Sequence, residues 1–217
     1  MLELVDVRVT LQRLVILRGV TLRVDPGGVV GLVGRNGAGK TTTMRAIMGL
    51  APVASGAVRL DGVDLGERPP YARAAAGIGY VPEDRRLIGS LSVHDNILIP
   101  AWARHLDDAE HRFAVITELM PEIAELASRP AVLLSGGQQK LVALARSFIN
   151  GRKLILLDEP FEGVAPPLAR RLIRAVQEFQ QREPGLAVLI AESEAKWVKL
   201  LANATYVIER GVTVPGA

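Results

Sequence analysis

The sequence predicts an α/β fold: a mostly parallel sheet, an antiparallel β portion at the N-terminus and an inserted helical subdomain. Three observations carry this expectation. Val29–Val33, Leu154–Leu157 and Val188–Ile190 are short, unbroken apolar runs, as in strands buried on both faces. Helical patterns lie between them, and strands alternating with helices imply parallel crossovers. Residues 84–135 contain no such run, while Phe113, Ile116, Met120 and Ile123 recur at helical spacing.

The elements follow in order. Residues 2–9 and 20–24 read as the first strands, and Asp25-Pro26-Gly27-Gly28 as a turn. Val29–Val33 ends in a glycine loop, and a helix over 40–48 stops at Gly49, a C-terminal capping position. Residues 57–63 read as a hairpin around Asp61-Gly62, and 77–81 as a strand. After the helical stretch, a helix over 137–149 turns Leu141, Leu144, Ala145 and Phe148 to one side. Pro166-Pro167 suits a helix start, and Leu168, Leu172, Val176 and Phe179 form that helix's stripe. A short helix over 194–202 and a strand over 206–208 complete the chain.

The 217 residues suffice for one α/β domain, and 49% hydrophobic content suffices for its core. There is no cysteine, which excludes disulfides and cysteine-based metal sites. No secretory leader is expected at Met1–Asp6, and no run reaches the ~18–20 apolar residues that span a bilayer. A net charge of +3 without a basic stripe, and aromatics at only 4%, give no nucleic-acid footprint. His94, His105 and His111 have no metal-ligand spacing and read as surface or packing residues.

Gly34-Arg35-Asn36-Gly37-Ala38-Gly39-Lys40-Thr41 matches the phosphate-loop pattern in full, between an apolar strand and a helix that continues with Thr42. This is the core of a P-loop NTPase. Glycines let backbone N–H groups turn toward phosphate oxygens, and the helix N-terminus adds positive charge. Lys40 supplies a cation for the β and γ phosphates of ATP, and the Thr41 hydroxyl a ligand for Mg²⁺. Leu154–Leu157 then ends in Asp158-Glu159. Ligands of open parallel sheets sit at the carboxyl ends of strands, so Asp158 is expected beside the loop as a Mg²⁺ ligand. Glu159 would orient or deprotonate the attacking water.

Leu134-Ser135-Gly136-Gly137-Gln138-Gln139 opens a helix. Ser135 and Gln138 have capping-box spacing, but a cap does not need two glycines. A second anion site at Ser135, Gly136, Gly137 and Gln138 would face another subunit's nucleotide.

LSGGQQ, with LILLDEP after it and GAGKTT before it, resembles the signature of ABC-transporter ATPases over essentially the whole chain. GRNGAGKTTTMRAIMGL, YVPEDRRLIGSLSVHDNI and DEPFEGVAP are similar to the ATPases of branched-chain amino-acid and urea type importers. The resemblance implies an ATPase on the cytoplasmic face of the cell membrane, paired with a second ATPase subunit, identical or a sister chain. It further implies transmembrane permease subunits and, indirectly, a solute-binding protein. By the same resemblance Ser135, Gly136 and Gly137 contact the partner's ATP. Glu83 serves Mg²⁺ or its water, and Asp84, Arg85 and Arg86 lie where the permease docks. Leu11 stands where the family stacks an aromatic on adenine, and Ser193 where it has a switch histidine. Ala165 stands where many relatives have aspartate. The departures at Leu11 and Ser193 leave a second expectation, a regulatory subunit that binds ATP and cleaves it weakly.

Overall fold

The computed structural model describes residues 1–216. Ten strands form one sheet: β1 (Leu2–Leu11), β2 (Leu14–Val24), β3 (Val29–Val33), β4 (Ser55–Leu60), β5 (Val63–Asp64), β6 (Ile78–Val81), β7 (Leu154–Asp158), β8 (Ala187–Glu192), β9 (Ala204–Glu209) and β10 (Val212–Pro215). Their spatial order is β5-β4-β1-β2-β10-β9-β3-β8-β7-β6. The side running β9-β3-β8-β7-β6 is parallel, and β1, β2, β4 and β5 pair antiparallel. The predicted division into a parallel core and an N-terminal antiparallel portion is therefore present.

Both faces of the parallel side are covered. Along β7, Leu154 and Leu156 belong to a core shared with β1, β2, β4 and helix α1 (Lys40–Ile47). Ile155 and Leu157 point the other way, into a core built with α6 (Gly136–Asn150) and α7 (Pro166–Arg182). This is the two-residue alternation of a strand with two buried faces. Between β6 and α6 lie α3 (Val93–Trp102), α4 (Ala109–Leu119) and α5 (Pro121–Leu126), with one 3-10 turn at Ala131–Leu133.

Several expectations need correction. The first strands run to Leu11 and start again at Leu14, joined by Gln12 and Arg13 at φ of 46° and 68°. Two consecutive left-handed residues suit a tight hairpin, but neither is the Gly, Asn or Asp that advertises one. The apolar positions 113–123 belong to two helices, because Pro121 begins a new one after Met120. Helix α2 (Pro70–Ala75) and strand β10 were not expected, and the helix after β8, α8 (Ala195–Val198), is shorter than predicted.

Helix α1 is held from behind by Arg73 of α2. Its guanidinium is 2% exposed and donates to the carbonyls of Ala46 (2.8 Å), Ile47 (2.9 Å), Arg68 (2.8 Å) and Gly66 (2.8 Å). The first two lie in the last turn of α1, where a cation is favourable; Ala46 also accepts the Gly49 N–H at 3.1 Å. Gly49 follows at φ 72°, with Arg73 so close that a Cβ would meet its Nε at 2.7 Å. Arg73→Met should cost about 3 kcal/mol, since buried acceptors lose a charged donor. Chemical denaturation would show it, and an unchanged midpoint would contradict this account.

Candidate active site

The loop after β3 curls because three of its glycines permit it. Gly37 and Gly39 have φ of 80° and 116°. At Gly34 a Cβ would meet the Ile208 carbonyl oxygen at 2.4 Å. Gly39 caps α1, whose first turn carries no acidic residue, so its positive end is left for an anion. The cleft above it is lined by Ile16, Asn36, Gly37, Gly39, Lys40, Thr41, Thr42, Glu83, Glu159 and Glu162, with a volume of about 450 Å³. That is within the range of small-molecule sites.

Three strand ends meet at this cleft. β8 lies between β3 and β7, pairing Val33 with Glu192 and Asp158 with Ala191. Lys40, only 4% exposed, sets its ammonium 2.9 Å from Glu159 Oε1 and donates to the Ser193 hydroxyl (2.9 Å). It also donates to the carbonyls of Gly34 (2.7 Å) and Arg35 (3.3 Å). Ser193 Oγ lies 2.6 Å from Asn36 Oδ1 and 3.1 Å from Glu159 Oε1, and its single proton serves one of them at a time.

Beside this set, the Thr41 hydroxyl donates to Asp158 Oδ1 (3.1 Å) and the Tyr80 hydroxyl to Oδ2 (3.3 Å). Burial raises the Asp158 carboxyl to about 6, against the pull of the two hydroxyls and with a further push from Glu159 and Glu83. The Tyr80 phenol is raised too, by burial and by the Asp158 charge. Glu159 itself sits at φ 49°, a left-handed conformation costing roughly 1–2 kcal/mol for a residue with a Cβ. Its N–H donates to the Ala191 carbonyl at 3.0 Å.

Asn36, Gly37, Gly39, Lys40, Thr41, Thr42, Glu83 and Glu159 thus line one cleft, and Asp158 and Ser193 join it through their bonds to Thr41 and Lys40. Leu11 is not among the residues lining it. The hairpin turn carries Leu11 against the core next to Leu14's strand, and Ile16, three residues into β2, supplies the apolar wall instead. Ser135, Gly136, Gly137 and Gln138 do not line the cleft either. Ser135 and Gln138 close a complete capping box: the Ser135 N–H donates to Gln138 Oε1 (2.9 Å) and the Gln138 N–H to Ser135 Oγ (3.3 Å). Two residues escaped the sequence reading, Glu192 and Lys140. A carboxylate ending the otherwise apolar Val188–Ala191 run was the one available signal.

The sequence profile of the ABC transporter family matches residues 17–162. The chain belongs to the ABC transporter ATP-binding family. The lipopolysaccharide export system ATP-binding protein LptB of Escherichia coli (strain K12) is 36% identical over 198 residues, 90% of this chain and 81% of that one. The high-affinity branched-chain amino acid transport ATP-binding protein BraG of Pseudomonas aeruginosa is 33% identical over 195 residues, 90% of this chain and 83% of its own. Among solved structures, the ATP-binding subunit of an ABC transporter superposes with a TM-score of 0.87 at 25% identity, covering 100% of this chain and 90% of that one. The ADP conformation of MJ1267, an ATP-binding cassette of an ABC transporter, gives 0.84 at 27% identity over 99% and 89%. As a member of this family the chain is an ATPase that binds ATP with Mg²⁺. ABC-transporter ATP-binding subunits pair with a second cassette and with transmembrane permeases. Among the described residues, no helix is long and apolar enough to cross a membrane.

Burial raises Glu192 to about 7, opposed by the Phe161 amide it accepts from and pushed further by Glu159. A raised carboxyl means that the folded chain holds a proton that the unfolded chain has released. Stability is therefore lost as pH rises from near 4.5 through about 7. Glu192→Gln removes this loss, so its advantage over wild type should grow between pH 5 and pH 8 by the order of 1–3 kcal/mol. Thermal unfolding at the two pH values measures it; an equal gap at both would refute the assignment.

Proposed function

We propose that this subunit hydrolyses ATP in the cleft at the tips of β3, β7 and β8 and uses the energy to drive a membrane transporter. The observation that carries the reading is the convergence of Lys40, Ser193 and Glu159 within 3.1 Å of one another, next to the Thr41–Asp158 pair.

The loop amides and the α1 N-terminus bind the phosphate chain, and the Lys40 ammonium takes the β and γ oxygens. Thr41 and Asp158 present two adjacent oxygens, a donor set that fits Mg²⁺, which uses few protein ligands besides phosphates and water. Glu83 lines the same cleft and is a further oxygen ligand, direct or through water. Magnesium, when bound, supplies positive charge for the phosphoryl group in flight. Glu159 orients the attacking water and takes its proton. Ser193 and Asn36 hold the far side of the phosphate by hydrogen bonds. Ile16 gives the nucleotide an apolar contact.

Ser135, Gly136 and Gly137 act on the other nucleotide of a cassette pair. Their absence from their own chain's cleft lining and the exposure of Ser135 and Gly136 at the helix start support this. A groove of about 330 Å³ lined by Met48, Leu50 and Ile99 and by Arg45, Arg86 and Arg146 suits an amphipathic permease helix. The subunit accordingly sits on the cytoplasmic face of the membrane. We assign it to import of a small polar solute of the branched-chain amino-acid kind, delivered by a binding protein. The three sequence stretches shared with such ATPases and the similarity to BraG support this. The 36% identity to LptB favours export as a second reading. Cells expressing the subunit with its permease should accumulate labelled leucine or a related solute. ATP turnover without accumulation of any such solute would remove the importer reading.

Lys40→Ala should abolish hydrolysis, because the γ phosphate loses its cation. Glu159→Gln should lower kcat by roughly 100-fold or more while ATP still binds. Steady-state phosphate release checks both. A Glu159→Gln variant as fast as wild type would favour the weakly hydrolysing, regulatory alternative or another base.

A further inference from the structure

The turn that carries Glu159 is gripped from two sides by groups that do not line the nucleotide cleft. From α6, the Lys140 ammonium donates to three carbonyls of this turn, those of Glu159 (3.2 Å), Pro160 (3.0 Å) and Glu162 (2.6 Å). An ammonium has three protons, so its capacity is filled by backbone oxygens alone. From β8, Glu192 Oε1 accepts the Phe161 N–H at 2.8 Å. Lys140 is 8% exposed, Phe161 4% and Glu192 3%. A buried ammonium and a buried carboxyl group spent on one four-residue turn cost stability unless their hydrogen bonds are well made. The turn is also the one in which Glu159 adopts a left-handed backbone, a conformation that persists when its surroundings over-determine it.

We propose that Lys140 and Glu192 are positioning residues for hydrolysis, a two-sided clamp that fixes the backbone of 159–162 and thereby aims the Glu159 carboxylate at the Lys40–Ser193 site. The clamp also joins two functional regions. Lys140 lies one helical turn beyond Gly136, so the helix that begins at Ser135 is tied to the main chain of Glu159. A shift of the α6 N-terminus, where a second cassette's nucleotide would bind, is passed to the carboxylate in the subunit's own cleft. The inference rests on the reading of Glu159 as the water-orienting group.

The test is steady-state ATP hydrolysis by the full chain carrying Lys140→Met, Lys140→Arg, Glu192→Leu or Glu192→Gln, beside Glu159→Gln. Lys140→Met should lower kcat roughly 10- to 100-fold, the scale of a 1 Å misplacement, with KM for ATP within about twofold of wild type. Lys140→Arg keeps donors for the carbonyls and should recover most of the loss. Glu192→Gln keeps an acceptor oxygen for Phe161 and should turn over about fivefold or more faster than Glu192→Leu. A kcat for Lys140→Met within twofold of wild type overturns the clamp. So does a parallel loss of kcat and ATP affinity that arginine fails to restore, which marks a merely structural lysine. Should Lys140→Met not fold, the Glu192 pair decides alone, and equal kcat values for Leu and Gln overturn the proposal. If Glu159→Gln is itself as fast as wild type, the fault lies in the assignment of Glu159. If it is slow while Lys140→Met is not, only the clamp is wrong.

Discussion

The burial of one ammonium group organises this molecule. Lys40 is nearly enclosed, and a buried ammonium costs several kcal/mol unless oxygen atoms surround it. Its partners come from three separate loops: the carbonyls of Gly34 and Arg35 after β3, the carboxylate of Glu159 after β7, and the hydroxyl of Ser193 after β8. A β8 strand placed between β3 and β7 is the topology that lets all three reach it. The order of the sheet and the chemistry of the cleft are one fact seen at two scales.

Features set by neighbours in sequence were legible before any coordinates. The phosphate loop, the Asp158-Glu159 strand end and the capped start of α6 each depend on residue types at short spacing, and each stands where it was expected. Features set by distant contacts were not. Leu11 and Ile16 are both apolar residues of one hairpin. Which of them lines the cleft depends on a turn at Gln12-Arg13 that carries no glycine. Pro121 was visible, but the apolar positions on either side of it fitted a single period well enough to hide the break. Arg73 and Lys140 look like ordinary helix-surface cations in one dimension. Only packing shows that each is buried and occupied by backbone carbonyls.

The two faces of the cassette divide labour along chemical lines. The cleft presents the glycine loop, hydroxyls, one ammonium and the carboxylates of Glu83, Glu159 and Glu162, while the groove beside Tyr80 presents apolar side chains with Arg45, Arg86 and Arg146. The loop between them is held by Arg146, whose guanidinium donates to the carbonyls of Arg85 (2.6 Å) and Arg86 (2.8 Å), both residues at positive φ. Tyr80 touches both sides, lining the groove and bonding Asp158.

The strand that delivers Asp158 and Glu159 alternates between two cores, Leu154 and Leu156 in one, Ile155 and Leu157 in the other. Such a strand behaves as an anvil. Its backbone is held in place by close packing from both sides at once. Flexing has to be absorbed further out, in the stretches that join sheet to helices. Asp158, the last residue of the strand, is fixed with it, whereas Glu159 stands in the turn just beyond, within reach of Lys140 on α6.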